Sequence, residues 1–315
     1  MPIMPRRYRN VVCDSSRWDD FEFRAGDIVI STPPKCGTTW TQMICALLVL
    51  QDPVLPAPLA TLSPWLDMTT TARKVVFATL GAQRHRRFIK THLPLDGLPV
   101  RDDVTYVCVG RDPRDVALSL DHHVDNLDVA ELLRSRAAAA EIDGVELEPP
   151  QAPPDRPIGE LDRFWNWMEN ETPVTETVST LRFTIHHLRT FWDADALDVV
   201  LLHYDDLRFD LEAEMRGLAD RLRITVPAAR WPKLVKAASF EEMRRRATTT
   251  VPGASLVQWR DPAAFFRNGT SGQWRALLDA GDESRYAQLV TSLAPADLTA
   301  WLHRPSLTQT EASPL

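Results

Sequence analysis

Asp27-Ile-Val-Ile-Ser-Thr-Pro-Pro-Lys-Cys-Gly-Thr-Thr-Trp40 passes from a β-branched apolar run, through a tight turn bearing one lysine, directly into a helix-forming stretch. A strand, a turn and a helix in that order build an anion site. The first N–H groups of a helix have no intrahelical partner, and Gly37 lets the backbone approach a ligand with no Cβ in the way. Lys35 adds a formal charge, and Thr38 and Thr39 add hydroxyls that rotate to suit an oxygen ligand. The pattern is not G-x-x-x-x-G-K-[ST], because Lys35 precedes the glycine and no upstream glycine is present. The expected ligand is a phosphate ester, held otherwise than as a magnesium nucleotide in the usual phosphate loop.

Working outward, four short apolar runs, 27–31, 87–91, 104–109 and 197–203, read as buried parallel strands. Helical patterns separate them. Residues 38–50 follow the first strand, 113–126 follow the third with Pro113 in the tolerated first turn, and 164–192 hold one or two helices before the fourth. Strands alternating with helices predict an α/β fold: a single domain with a mainly parallel central β-sheet flanked by helices and a P-loop-like turn after its first strand. In such sheets ligands bind at the carboxyl ends of the strands, where Lys35 and Arg111 fall. Residues 148–157 carry five prolines and read as a loop or lid, 134–140 as plain helix, and 304–315 as a frayed tail beyond a domain spanning 1–303.

With 315 residues, 44% of them apolar, the chain can bury a large core. Its net charge of −7 argues against a nucleic-acid or anionic-membrane surface, so basic residues serving an anionic ligand must be concentrated locally. Cys13, Cys36, Cys45 and Cys108 show no C-x-x-C spacing, which points to reduced thiols in a cytoplasmic protein and to no metal. No run of apolar residues reaches signal-peptide or membrane-spanning length.

The segment Pro34-Lys35-Cys36-Gly37-Thr38-Thr39-Trp40 resembles the 5′-phosphosulfate loop of the cytosolic-type sulfotransferases, which use 3′-phosphoadenosine 5′-phosphosulfate (PAPS). Three further segments match in the family's order: Ile89-Lys90-Thr91-His92-Leu93-Pro94, Arg111-Asp112-Pro113-Arg114-Asp115-Val116-Ala117-Leu118-Ser119, and Phe266-Arg267-Asn268-Gly269 followed by Gly272-Gln273-Trp274-Arg275. Four ordered matches spread over most of the chain are far more specific than one.

The resemblance implies His92 as the base that deprotonates an acceptor hydroxyl, with Lys35 and Lys90 stabilising charge on the transferring group and the departing 5′-phosphate. It places the 5′ side of the nucleotide against Lys35, Cys36, Gly37, Thr38 and Thr39, and the adenine against Trp40. The 3′-phosphate falls to Arg111, Ser119, Arg267, Asn268 and Gly269, with Asn268 standing where the family has lysine. Ser239-Phe240-Glu241-Glu242-Met243 and His203-Tyr204-Asp205-Asp206-Leu207 are weaker matches that bring Phe240, Met243 and Tyr204 to the nucleotide. The product would be adenosine 3′,5′-bisphosphate (PAP). Asp112 and Asp115 also read as caps of the helix at 113–126.

From residues alone, His92 is one of eight histidines, and His122 and His123 lie only a helical turn beyond Ser119. Two rivals are weighed. A magnesium-dependent nucleotide kinase or other phosphotransferase would need an acid where Arg111 ends its strand. A non-catalytic PAP-binding protein would have no need of His92 and Lys35. The acceptor is the open part: residues 56–83 and 121–173 are expected to build its pocket. Trp65, Met68, Phe77, Phe164 and Trp167 would make that pocket apolar, favouring a small aromatic or lipidic alcohol over a polymer.

Overall fold

All four expected strands form, and a computed structural model describes residues 4–147, 156–194, 197–250, 259–261, 263–267 and 269–304. The strands are β1 (Ile28–Ser31), β2 (Phe88–Thr91), β3 (Thr105–Gly110) and β4 (Val199–His203). They make one parallel sheet in the order β2-β1-β3-β4, with Ile30 beside Lys90 on one side and Val107 on the other. The chain leaves β1 toward one edge and returns across it to β3. This reversal opens a crevice at the carboxyl ends of β1 and β3, where open α/β sheets take their ligands.

The helix after β1 is α1 (Thr38–Leu50), followed before β2 by α2 (Leu59–Leu62) and α3 (Arg73–Ala82). Helix α4 (Pro113–Asn126) leaves β3, and α5 (Val129–Asp143), α6 (Glu160–Met168) and α7 (Leu181–Trp192) lead to β4. The rest is α8 (Tyr204–Phe209), α9 (Leu211–Arg221), α10 (Trp231–Ala238), α11 (Phe240–Arg245), α12 (Ala247–Thr250), α13 (Ala280–Leu293) and α14 (Ala296–Leu302). The helical pattern at 164–192 thus resolves into two helices, and the alanine-rich run lies within α5. Most of the proline-rich segment, 148–155, and the tail from 305 onward lie outside the described residues.

Alternation along the strands makes two cores. Val29, Ile89, Tyr106 and Cys108 face one side, under residues of α4, α6, α7, α13 and α14. Ile28, Ile30, Phe88, Val107 and Val109 face the other, under α1, α9 and α10. Burial on both faces is why the strands read as nearly unbroken apolar runs instead of alternating ones. All four cysteines are buried and unpaired.

Polar structure concentrates at the two ends of the sheet. At the amino end, Arg87 clamps Asp27 with both Nε (2.8 Å to Oδ1) and Nη2, and both side chains are buried. At the carboxyl end, Gly110 must be glycine, since a Cβ there would fall 2.2 Å from the Trp301 ring of α14. That close approach holds the last helix against the residue preceding Arg111.

Candidate active site

The turn between β1 and α1 is built from two left-handed residues, Lys35 (φ 68°) and Gly37 (φ 104°). Glycine takes this conformation freely, but lysine does so at a cost, and such a cost is found where function needs the geometry. Gly37 stands at the N-cap with no side-chain cap, so the first N–H groups of α1 stay open to a ligand. Its missing Cβ also leaves room for the Tyr204 ring, which a Cβ would meet at 3.2 Å. Thr32 Oγ1 and Thr38 Oγ1 bridge the base of the turn at 2.5 Å.

One cavity of about 620 Å³ opens over these carboxyl ends, a volume typical of small-molecule sites. Lys35, Gly37, Thr38, Thr39, Trp40, Lys90 and His92 line it, together with Arg111, Ser119, Tyr204, Phe240, Met243, Arg267 and Gly269. Sequence-distant candidates therefore share one wall. Cys36 does not join them: its side chain turns into the core beneath the sheet, and burial pushes the thiol up to about 12. Its backbone N–H already bonds Pro33 O (3.3 Å). Asn268 lies outside the described residues.

His92 follows the last residue of β2 and is buried. Its Nδ1 lies 2.7 Å from the carbonyl of Thr32. A carbonyl only accepts, so Nδ1 carries the proton and Nε2 keeps a lone pair. The Trp65 ring meets the imidazole edge to face at 4.6 Å and fixes its plane. Burial, then Lys90, hold the His92 pKa well below 6.5, which keeps the ring neutral at neutral pH.

Two lysines flank it. The Lys90 ammonium lies 4.3 Å over the Trp65 ring, and burial lowers its pKa to about 8. The Lys35 ammonium lies 4.5 Å over Phe265 and 3.1 Å from Nδ1 of His123 on α4. Burial first, then the charges of Arg111 and Lys90, lower Lys35 to about 7. No sequence pattern marks Phe265, and His123 stands in the sequence only as a histidine competing with His92. The only signal was the spacing of His123 four residues beyond Ser119, which puts both on one face of α4.

Arg111 joins the two halves of the anion end. Its Nη1 donates to Lys35 O (3.0 Å), its Nη2 to Thr270 O (3.1 Å), and its guanidinium lies 4.2 Å over Tyr204. Its Nε is buried without a partner among the described residues. Asp112 caps α4 as expected, accepting from Arg114 N at 2.9 Å. Asp115 does not. It reaches across to Gly272 N (2.7 Å) and Gln273 N (3.1 Å), anchoring the turn after Gly269. Gly269 (φ 61°) packs so closely on Phe240 that a Cβ would fall 2.7 Å from its ring. Trp40 Nε1 donates to Ala238 O (2.8 Å), and its ring stands edge to face with Tyr204.

Away from this cationic end the cavity is walled by Met68, Val75, Val76, Val124, Leu127 and Leu132. Trp65 and Met68 belong to the wall as expected. Phe77, Phe164 and Trp167 do not: Phe77 packs on Phe21, and the other two are buried in the core. Among the described residues no group of side chains is placed to hold a metal ion, and no helix is long and apolar enough to cross a membrane.

A family model described as the sulfotransferase domain matches residues 25–294. A glycolipid sulfotransferase of Mycobacterium bovis is 40% identical over 305 residues, covering 94% of this chain and 93% of that protein. Mouse sulfotransferase SULT7A1 in complex with PAP has a TM-score of 0.67 at 18% identity, covering 93% of this chain and 94% of that one. Retinol dehydratase in complex with retinol and PAP has a TM-score of 0.64 at 19% identity, covering 98% and 93%. At these identities the two structures establish a shared fold.

Proposed function

Since this chain belongs to the sulfotransferase family, we propose that it moves the sulfuryl group of PAPS onto a hydroxyl of a lipidic acceptor, with His92 as general base. The observation that carries this reading is the fixed tautomer of His92. Its Nδ1–H is held by Thr32 O, so Nε2 is left as a proton acceptor in a cavity whose nearest charges are the lysines 35 and 90.

The residues at the anion end fit the donor. Arg111 offers a rigid donor fork with an unpartnered buried Nε, and the open first turn of α1 offers backbone N–H groups to a second phosphate. When bound, PAPS supplies a sulfuryl group on a phosphate leaving group. His92 Nε2 then removes the acceptor proton, while Lys35 and Lys90 hold the negative charge that moves toward the 5′-phosphate. Trp40, Tyr204, Phe240 and Met243 offer the flat and apolar surfaces an adenine needs, and Ser119, Arg267 and Gly269 close the 3′ side.

The acceptor assignment rests on two supports: the apolar wall beyond the lysines, and the name of the mycobacterial relative. Residues 1–303 form the catalytic domain in this reading, supported by the packing of Trp301 and Leu302 of α14 onto the core, with 304–315 as a tail. The four free, buried cysteines support a cytoplasmic setting.

The test is calorimetric titration with PAP beside 5′-AMP, followed by sulfate transfer from PAPS to long-chain alcohols. Binding that depends on the 3′-phosphate and a His92→Ala variant that binds PAP normally but turns over about a thousandfold more slowly are the expected results. Comparable turnover by His92→Ala would remove His92 as the base.

A further inference from the structure

Strand β2 pairs with β1 only as far as Thr91, so the peptide groups on either side of Leu93 lie past the ladder and must find other partners. Both find buried hydroxyls. Leu93 N donates to Thr91 Oγ1 (3.0 Å), and that hydroxyl donates in turn to Asp67 Oδ2 (2.8 Å). Leu93 O accepts from Ser31 Oγ of β1 (2.5 Å), and Nε2 of His187 on α7 lies 2.9 Å from the same hydroxyl. A carbonyl only accepts, so the single Ser31 proton is committed to Leu93 O and His187 must be the donor to Ser31. This fixes the His187 proton on Nε2 and leaves Nδ1 facing the Cys108 thiol at 4.0 Å. Burial lowers His187 to about 3, in keeping with a neutral ring. Asp67 is pushed up by burial to about 6 and is still ionised at neutral pH, which makes it a stronger acceptor for Thr91 than a neutral group would be.

Ser31, Asp67, Thr91 and His187 are each 0% exposed, and none of them lines the cavity. They act on the chemistry only through another residue. That residue is His92, whose backbone lies between Thr91 and Leu93 and whose Nδ1 bonds the carbonyl of Thr32, next to Ser31. The two relays therefore grip both of the segments that meet in the Nδ1 to Thr32 O bond. Asp67 adds a third hold. The segment just before it pairs with Lys90, through Lys90 N to Pro64 O (3.0 Å) and Leu66 N to Lys90 O (3.1 Å), and it carries the Trp65 ring that meets the His92 imidazole. A base held on three sides by buried, mutually bonded groups keeps one ring orientation and one tautomer.

We propose that Thr91 and Ser31, anchored by Asp67 and His187, are positioning residues of His92 that hold its Nδ1–H on Thr32 O and so keep the Nε2 lone pair aimed into the cavity. This deepens the reading of His92 as general base and rests on it. The two hydroxyls contribute no proton to the reaction, since each has its only proton committed to a buried acceptor.

The first readout needs no acceptor. Long-range nitrogen–proton correlation spectra report which ring nitrogen of a histidine carries the proton, and comparison with His92→Ala identifies the His92 signals. The expected wild-type result is protonation at Nδ1 alone. Thr91→Val and Ser31→Ala should give His92 mixed tautomers, while Thr91→Ser, which keeps the hydroxyl, should restore the single form. The second readout is transfer from PAPS to 1-octanol, counted per PAP-binding site so that unfolded protein does not enter. Thr91→Val should lower kcat about tenfold with KM and PAP affinity nearly unchanged, and should cost nothing further when added to His92→Ala. A single Nδ1-protonated form of His92 in both Thr91→Val and Ser31→Ala overturns the positioning role. So does an unchanged kcat in Thr91→Val, or a further tenfold loss when it is added to His92→Ala. Comparable turnover by His92→Ala defeats the base reading, and no transfer to the alcohol defeats the acceptor reading; in both cases the spectra still decide whether the relays position His92.

Discussion

Donor binding should take up protons, and the structure sets the number. In the free protein Lys35 titrates at about 7 and Lys90 at about 8, both lowered chiefly by burial. Near pH 7.5 roughly three-quarters of Lys35 and one-quarter of Lys90 are then neutral, together about one missing proton. Of the other groups facing them, burial keeps His92 and His123 neutral, and Asp67, whose charge acts on Lys90, is pushed up by burial to about 6 and titrates below pH 7. The ligand is already almost fully ionised, since phosphate monoesters lose their second proton near pH 6. An anion binds the protonated lysines better, so it raises their pKa values and draws in the missing proton. The sign follows: above the ligand's own ionisation, affinity declines as the free lysines lose their protons through pH 7 and 8. Summing the two titrations gives a fall of about tenfold between pH 7 and pH 8. Calorimetry of PAP binding in buffers of different ionisation enthalpy reads the proton count directly, near one at pH 7.5 and about half a proton at pH 7. Lys35→Met should reduce the uptake at pH 7.5 to about a quarter of a proton. Heat independent of the buffer at pH 7.5, with equal affinity at pH 7 and 8, would refute the reasoning.

Arg111→Lys loses the fork that reaches Lys35 O and Thr270 O at once, and is expected to weaken PAP binding by about 1.5–3 kcal/mol while leaving 5′-AMP nearly unaffected, so the ratio of the two affinities is the readout. Asp27→Ala strands the buried Arg87 guanidinium at the far end of the sheet. It should cost about 3–5 kcal/mol in urea unfolding without changing the KM of the molecules that remain folded. Sulfate transfer should persist in excess chelator, because Arg111 occupies the strand end where a magnesium-dependent phosphotransferase places an acid. Loss of activity there would favour the phosphotransferase reading.

Local pattern explains what could be read before the fold was seen. Helices at Thr38–Leu50 and Pro113–Asn126 coincide with the stretches marked by Gly37 and Pro113, because caps and helix-starting residues act within a few positions. The site is legible for the same reason: its residues sit one to a few positions past strand ends, and strand ends are visible in the sequence. Sidedness inside the turn is not. Cys36 sits between two residues on the cavity wall, and only the two left-handed φ values around it turn its thiol the other way. Phe77, Phe164 and Trp167 are apolar at helical spacing, which says that a face is buried but not whether core or cavity covers it. Asp115 passes as a cap by its position in the first turn, whereas its partner lies more than 150 residues away and no local rule reaches it. The pairing of Lys35 with His123 is equally non-local.

The two-sidedness of the anion turn gives the protein a built-in clock. The Cys36 thiol is sealed in the core with a pKa pushed to about 12, although its neighbours Lys35 and Gly37 border the cavity. A thiol reagent reaches that sulfur only in the moments when the turn peels away from the sheet, so modification of Cys36 counts openings of the donor cradle. A ligand that binds only the closed cradle slows the count in proportion to its occupancy. The pace at which one cysteine is consumed, followed by peptide mapping, therefore reports how often the cradle comes apart, with no substrate or spectroscopic probe needed.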